Sequence, residues 1–325
     1  MESNKMKAAY RKKYGPPESL KIKEIEIPKP KENEILIKVH AATVNRTDCA
    51  VLSGSPYIMR LFTGLLKPKL PITGTDFAGE VEAVGSKVSS FKVGNRVFGF
   101  NDNGSASHAQ YMTISADKAI SLIPEKLSYE EAAASLEGAH YAYNFIKKVQ
   151  VKEGEKILIN GATGAIGSAL LQFSKYHGAY VTAVGNSKNI ELMKSLGADK
   201  VIDYQIEDFT EDNQKYKYIF DAVGKSSFAK CRNLLEADGV YISSELGRQG
   251  ENLFLALVTK INSGKKVIFP TPTDIKASID FIKKLVNEDK FKAVIDREYP
   301  LDKISEAFTY TAGGQKTGNV ILKIG

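Results

Sequence analysis

Cysteine and histidine are scarce in this chain of 325 residues, with two of the first and four of the second. Cys49 and Cys231 stand far apart, so neither a disulfide framework nor a four-thiolate zinc site is available, and a reducing cytoplasm is the expected setting. His40, His108, His140 and His177 show no ligand spacing with each other or with the cysteines. A catalytic zinc needs three soft or imidazole ligands plus water, so no metal is expected. Long apolar runs are missing as well. No stretch of about 18 apolar residues occurs, which excludes a helical membrane span. Residues 1–7 are polar and lack the apolar core of a signal peptide. There is no repeat of fixed period and no low-complexity tract. Basic residues outnumber acidic ones, 45 to 38, for a net charge of +7. The lysines are dispersed, mostly as pairs such as Lys12-Lys13, Lys147-Lys148 and Lys265-Lys266. A nucleic-acid binder would cluster them with aromatics, so no nucleic-acid partner is expected. The surplus reads as a solvated surface, part of it available to an anionic cofactor.

The residues that are present form a two-part pattern. The first third is β-rich, with strand-like segments at 22–27, 35–39, 78–84 and 96–100 separated by Gly and Pro turns. Helical signal is weak until Ser128, which precedes Glu130 and Glu131 and an alanine run, the signature of a capped helix start. Strands at 156–160, 180–185, 200–203, 218–223, 240–243 and 266–269 then alternate with helical patterns. That order predicts a doubly wound parallel sheet. Residues 291–325 return to short strands, at 293–295 and 320–324. The expected architecture is therefore α/β, a nucleotide-binding unit (125–269) inserted in a β-rich one (1–124 and 270–325).

The strongest local feature is Ile157-Leu158-Ile159-Asn160-Gly161-Ala162-Thr163-Gly164-Ala165-Ile166-Gly167. A strand runs into a glycine turn that opens a helix. The glycines permit a tight turn and close backbone approach to a pyrophosphate, and the helix N-terminus offers free N–H groups to that anion. A dinucleotide cofactor is expected across Gly161, Ala162, Thr163, Gly164, Ala165, Ile166 and Gly167. NAD enzymes usually close the second strand with an acid for the ribose 2′-hydroxyl. Here it ends Val184-Gly185-Asn186-Ser187-Lys188, with no acid. Asn186, Ser187 and Lys188 suit a 2′-phosphate, so NADPH is the expected cofactor.

Six ordered segments carry a resemblance to a known family. They are 41–48 (AATVNRTD), 71–81 (PITGTDFAGEV) with 93–97 (VGNRV), the glycine turn, 196–204 (LGADKVIDY), 220–224 (FDAVG), and 294–301 with 318–322 (GNVIL). Together they resemble the zinc-independent medium-chain dehydrogenases/reductases of the quinone oxidoreductase group. The resemblance implies a GroES-like β-rich catalytic domain, a Rossmann cofactor domain with the active site in the cleft between them, and an oligomer, commonly a dimer. Zinc-dependent members carry Cys where this chain has Asn45, and a His-Glu pair where it has Thr75-Asp76. They often add a four-Cys lobe where it reads Phe100-Asn101-Asp102-Asn103-Gly104-Ser105.

Hydride from NADPH would then pass, without a metal, to a small-molecule acceptor that takes it readily: a quinone, or the β-carbon of an α,β-unsaturated carbonyl. Asn45 is read either as an amide donating to the substrate oxygen or as a structural amide between two loops. Asp48 is read as orienting its neighbours or capping the following turn. Tyr57 is read as lining the pocket or donating a proton, or as an aromatic packing residue. His140 falls where many relatives have a threonine near the nicotinamide. It reads either as a cofactor contact or general acid, or as a buried helix histidine. His108 and His177 read as surface residues. By resemblance Tyr204 lies against the adenosine phosphate end, Val223 and Gly224 border adenine or ribose, and Ser243 and Ser244 approach the nicotinamide side. Lys316 reaches the cofactor or stands as an exposed turn lysine. The apolar run 58–66 reads as a lid, a pocket wall or a dimer contact. Two other readings stay open: a reductase of another activated double bond, such as an acyl thioester, or of an alcohol or aldehyde substrate, and a low-turnover NADPH-binding protein with an RNA- or partner-binding role.

Overall fold

The computed structural model describes residues 4–57, 59–101, 104–261 and 264–325. Asp102 and Asn103, and Ile58 of the apolar run, lie outside the described residues. The chain forms two compact units, one of Met1–Glu137, Ile275–Lys283 and Val294–Gly325, the other of Gly138–Asp274 and Lys284–Ala293.

The first unit begins with an antiparallel pair, β1 (Lys5–Tyr10) on β2 (Lys21–Glu26). Strands β3 (Glu34–Thr43), β4 (Asp76–Val84), β5 (Arg96–Phe100), β6 (Tyr111–Ser115) and β7 (Ile120–Leu122) form an antiparallel array of their own. Between β3 and β4 lie two short helices, α1 (Arg46–Ser53) and α2 (Met59–Thr63), where the sequence carries little helical signal. Residues such as Thr47, Cys49, Val51 and Ser53 are poor helix formers, and eight residues are too few to hold a helix by propensity. A capping box does it instead. The Asn45 side chain accepts from the Asp48 N–H and the Asp48 carboxylate accepts from the Asn45 N–H, while Gly54 closes the helix at φ +64°. Helix α3 (Tyr129–Ala134) starts as the sequence indicates, with Ser128 and Glu131 forming a second reciprocal box. Helix α4 (Glu137–Lys148) follows.

In the second unit β8 (Lys156–Asn160), β9 (Tyr180–Gly185) and β10 (Lys200–Asp203) coincide with the expected strands. Strand β11 is Tyr216–Asp221, β12 is Leu235–Ser243 and β13 is Lys266–Ile268. The expected 218–223 and 240–243 are corrected for two reasons. Gly224, at φ +62°, turns the chain away after Asp221, and the pairing of Leu235 with Tyr216 starts β12 earlier. Among the described residues the sheet runs β10-β9-β8-β11-β12-β13, every pair parallel. Helices α5 (Ala165–Tyr176), α6 (Ile190–Ser195), α7 (Phe228–Cys231) and α8 (Glu251–Ile261) link its strands. Ile157, Leu158 and Ile159 are fully buried, as a central strand covered on both faces requires. The strand order reverses between β8 and β11, which puts a ligand crevice at their carboxyl ends.

Helix α9 (Ile275–Asn287) precedes the return to the first unit, made by β14 (Ile295–Pro300), α10 (Ile304–Ala312) and β15 (Asn319–Lys323). The strand expected at 293–295 instead begins at Ile295, because Arg297 to Pro300 pair with Val320 to Lys323. Strand β15 joins β3 antiparallel, so the β-rich sheet runs β14-β15-β3-β4-β5-β7 with β6 on β3. Ile35, Ile37, Val39, Phe77, Val97, Phe308 and Leu322 fill its core. Each such burial contributes about 1.5–3 kcal/mol. The chain is thus an α/β protein with a doubly wound sheet inserted in a β-rich unit.

Candidate functional site

In the second unit the glycine turn lies between β8 and α5. Gly161 has φ +79°, and a Cβ there would meet the Val223 side chain at 2.3 Å. A Cβ on Gly167 would stand 2.0 Å from the Gly161 carbonyl oxygen, so this glycine seats the helix against the strand. Gly164 differs. A Cβ there would meet only the Gly161 oxygen, at 3.7 Å, so its face is open. It is the N-cap of α5 and supplies no side-chain cap bond. The first-turn N–H groups thus receive nothing from the cap, the feature an anion needs. The residues therefore fit a dinucleotide pyrophosphate. Gly138, in α4, lies outside the turn, and no local pattern marks it in the sequence. A Cβ on it would come 2.7 Å from the Ala165 side chain, so its smallness lets α4 approach the turn.

At the carboxyl end of β9, Ser187 and Lys188 are exposed and Asn186 is half-buried, its Oδ1 without a hydrogen-bond partner among the described residues. The local sequence has no acid here, yet one arrives from the next strand. Asp203 pairs in register with Gly185, is buried, and accepts hydrogen bonds from the Ser187 hydroxyl and the Gln205 N–H. That hydroxyl proton is therefore committed to a carboxylate. Tyr204 is half-exposed, its N–H held by the Gly185 carbonyl. At the end of β11 buried Asp221 accepts from the N–H groups of Gly224 and Ser226, from Asn160 Nδ2 at 3.0 Å and from the Tyr241 hydroxyl at 3.0 Å. It fixes Val223 and Gly224 relative to the glycine turn. Its place in Phe220-Asp221-Ala222-Val223-Gly224 is the signal the sequence offers for it. Ser243 is buried and its Oγ accepts from the Glu245 N–H, and Ser244 donates its N–H to the Asp221 carbonyl.

His140 lies in α4, 1% exposed, with Asn144 Nδ2 3.4 Å from its Nε2. Burial pushes its pKa down to about 4, against the pull of Asp274. At neutral pH the ring is uncharged. An open depression of about 720 Å³ lined by Glu153, Lys156, Asn213 and Glu236 lies at the amino ends of β8 and β11, away from the glycine turn.

In the first unit Asn45, Thr75 and Asp76 come together. Asn45 Nδ2 donates to Thr75 Oγ1 at 3.0 Å and to Thr43 Oγ1 at 3.3 Å, and its Oδ1 accepts from the Asp48 N–H at 2.8 Å. Asp76 accepts the N–H and hydroxyl of Thr43, and burial pushes its pKa up to about 6. Asp48 is buried, its carboxyl pushed well up first by desolvation and then by Asp76 and Glu137. His108 is fully buried, which corrects the expectation of a surface residue. Its Nε2 donates to the Thr43 carbonyl at 2.9 Å, its Nδ1 accepts from Thr73 at 2.8 Å, and burial holds its pKa near 4. The reason is that Gly74, at φ +105°, leaves room for the ring. In the second unit His177 is half-buried, against the same expectation. Tyr57 is 78% exposed, with the Arg60 guanidinium 4.7 Å from its ring centre. Lys316 is half-buried and donates to the Gly318 carbonyl; burial lowers its pKa, opposed by Glu137 and Asp296.

Zinc does not fit this donor set. An amide, a threonine hydroxyl and a carboxylate already bound by Thr43 occupy the relevant positions, and among the described residues no three His, Cys, Asp or Glu side chains are gathered as a metal ion requires. Nor is any described helix long and apolar enough to cross a membrane.

Residues 31–125 match the family model for the alcohol dehydrogenase GroES-like domain, and 196–322 that for zinc-binding dehydrogenases. A chloroplastic quinone-oxidoreductase homolog of Spinacia oleracea is 30% identical over 325 residues, 95% of either chain. The 2-methylene-furan-3-one reductase of Solanum lycopersicum is 29% identical over 98% of this chain and 79% of its own. Among solved structures, the Escherichia coli quinone oxidoreductase complexed with NADPH superposes with a TM-score of 0.81 at 26% identity, covering 98% of this chain and 99% of that one.

Proposed function

The chain belongs to the medium-chain dehydrogenase/reductase family, in its quinone oxidoreductase-like branch, and we propose that it is an NADPH-dependent, metal-free reductase of quinones or α,β-unsaturated carbonyls. The observation that carries this reading is the open face of Gly164 at an uncapped helix start, beside two glycines whose missing side chains are filled by the fold itself. The nicotinamide, when bound, supplies the hydride. Backbone N–H groups at the start of α5 hold the pyrophosphate, Val223 and Gly224 border the adenosine, and Lys188 and Tyr204 take the 2′-phosphate. Among the described residues no zinc donor set is gathered to stabilise a simple alkoxide, which supports acceptors that delocalise the incoming charge. The NADPH complex of the bacterial relative and the enone named in the tomato relative support the same choice.

Asn45 works as a positioning residue in this reading. Both of its N–H bonds are spent on Thr75 and Thr43, so it aims those hydroxyls and holds α1. His140, neutral at working pH, lies buried in α4, the helix that Gly138 lets approach the glycine turn. The Asp203 carboxylate, which binds the Ser187 hydroxyl, repels a phosphate, so the preference for NADPH over NADH is modest. Two free thiols, both pushed above their ordinary pKa by burial, suit a reducing compartment such as the cytoplasm, although the spinach relative is chloroplastic.

Titration with NADPH and NADH side by side, followed by turnover of a quinone and enone panel, tests the proposal. Tighter NADPH binding with turnover is expected, and Asp203→Asn should widen the preference by about tenfold, one charge contact being worth roughly 1.4 kcal/mol. Preference for NADH would overturn the cofactor assignment. Tight binding with no acceptor reduced would overturn the reductase reading.

A further inference from the structure

We propose that the segment around α2 is a docking surface for an anionic lipid bilayer. Tyr57, Leu61, Phe62, Leu65, Leu66 and Leu70 are 78, 61, 63, 65, 94 and 39% exposed. So many large apolar side chains turned outward within one short segment mark an interaction surface rather than scattered surface hydrophobes. The backbone beneath them is not loose. The Tyr14 hydroxyl donates to the Gly64 carbonyl, the Lys69 N–H to the Thr63 carbonyl at 2.8 Å, the Arg11 N–H to the Pro71 carbonyl at 2.8 Å, and Arg60 Nε to the Gly54 carbonyl at 3.1 Å. Backbone groups of the segment are bonded within the fold, while its leucines and its lysine side chains face out.

Charge selects the occupant. The sequence has no Asp or Glu between Asp48 and Asp76, and none between Glu2 and Glu18. The hydrogen bonds from Arg11 and Tyr14 lay the second stretch beside the first. Lys12, Lys13, Lys67 and Lys69 are all exposed there. A protruding ridge of Leu and Phe fringed by flexible lysines matches an acidic lipid surface, where acyl chains take the ridge and headgroups take the ammonium groups.

Full-length protein is mixed with phosphatidylcholine vesicles with and without phosphatidylglycerol, and sedimentation is measured against salt. The chain contains no tryptophan, so Leu66→Trp provides a single reporter. Salt-sensitive partitioning onto the anionic vesicles alone is expected, with a blue shift of the Trp emission. Lys67→Gln with Lys69→Gln should weaken partitioning about 25-fold, at roughly fivefold per lysine. Phe62→Ser with Leu66→Ser should abolish it while leaving the melting temperature unchanged, since both side chains are exposed. No partitioning by the native chain, or partitioning without a blue shift, would overturn the proposal. A Phe62→Ser, Leu66→Ser chain that still partitions onto the vesicles but changes its oligomeric mass would also overturn it, and would assign the ridge to a second copy instead.

Discussion

The three glycines of the turn do different physical work, and substitution separates them. Alanine at Gly167 drives a Cβ into the Gly161 carbonyl at 2.0 Å, a backbone neighbour that cannot swing aside. Gly167→Ala should cost about 1–3 kcal/mol of stability, read by denaturant unfolding. Gly164→Ala should leave stability within about 1 kcal/mol, since the site is open and its φ is −75°, yet weaken cofactor binding at least about tenfold by filling the space a pyrophosphate needs. Unchanged affinity in Gly164→Ala would mean the open face is not the cradle. The histidines offer a second test. His108 and His140 are held near pKa 4, below the ordinary 6.5. A histidine depressed in the fold contributes stability that is present above pH 6.5 and lost as pH falls toward 4. In NMR titrations both rings should stay neutral down to about pH 5. A kcat profile should show no limb near 6.5 from His140, and a limb there that vanishes in His140→Gln would restore it as a general acid.

Among the elements, α1 depends most on a single residue. Asn45 caps the helix, receives the Asp48 N–H and joins β3 to the start of β4 through Thr43 and Thr75. Asn45→Ala should cost about 2–4 kcal/mol, one cap plus buried hydrogen bonds left unmade. Asn45→Ser should recover the cap portion. If the residue positions rather than touches the substrate, activity and stability fall together across the two variants. A loss of kcat with unchanged melting would show direct contact. The cap pattern at Ser128 is legible in the sequence because its Glu131 partner sits three residues on, before an alanine run. The one at Asn45 is hidden, because a string of poor helix formers succeeds it and masks the helix start.

At the scale of the molecule, α8 leaves Leu253, Phe254, Leu257 and Val258 between 41 and 70% exposed, and it packs beside β13, the edge strand of the parallel sheet. An edge strand next to an apolar helix face is a surface that a second copy of the chain can cover by continuing the sheet. A homodimer is therefore expected by light scattering, and Phe254→Ser with Leu257→Ser should shift it toward monomer. A native chain that is monomeric at micromolar concentration would overturn this expectation.

The sequence by itself determined the α/β class, the inserted parallel sheet and the glycine turn, because hydrophobic period and glycine spacing are local properties. It located β8, β9 and β10 to the residue for the same reason. Only tertiary structure decided that Asp203 stands beside Ser187, since that comes from the register of two strands with a helix between them in the chain. It alone buried His108, through a long-range fit against Thr43 and Thr73, and it alone turned the leucines of residues 61–70 outward. Burial and neighbour identity are properties of the packed chain, and no window of sequence contains them.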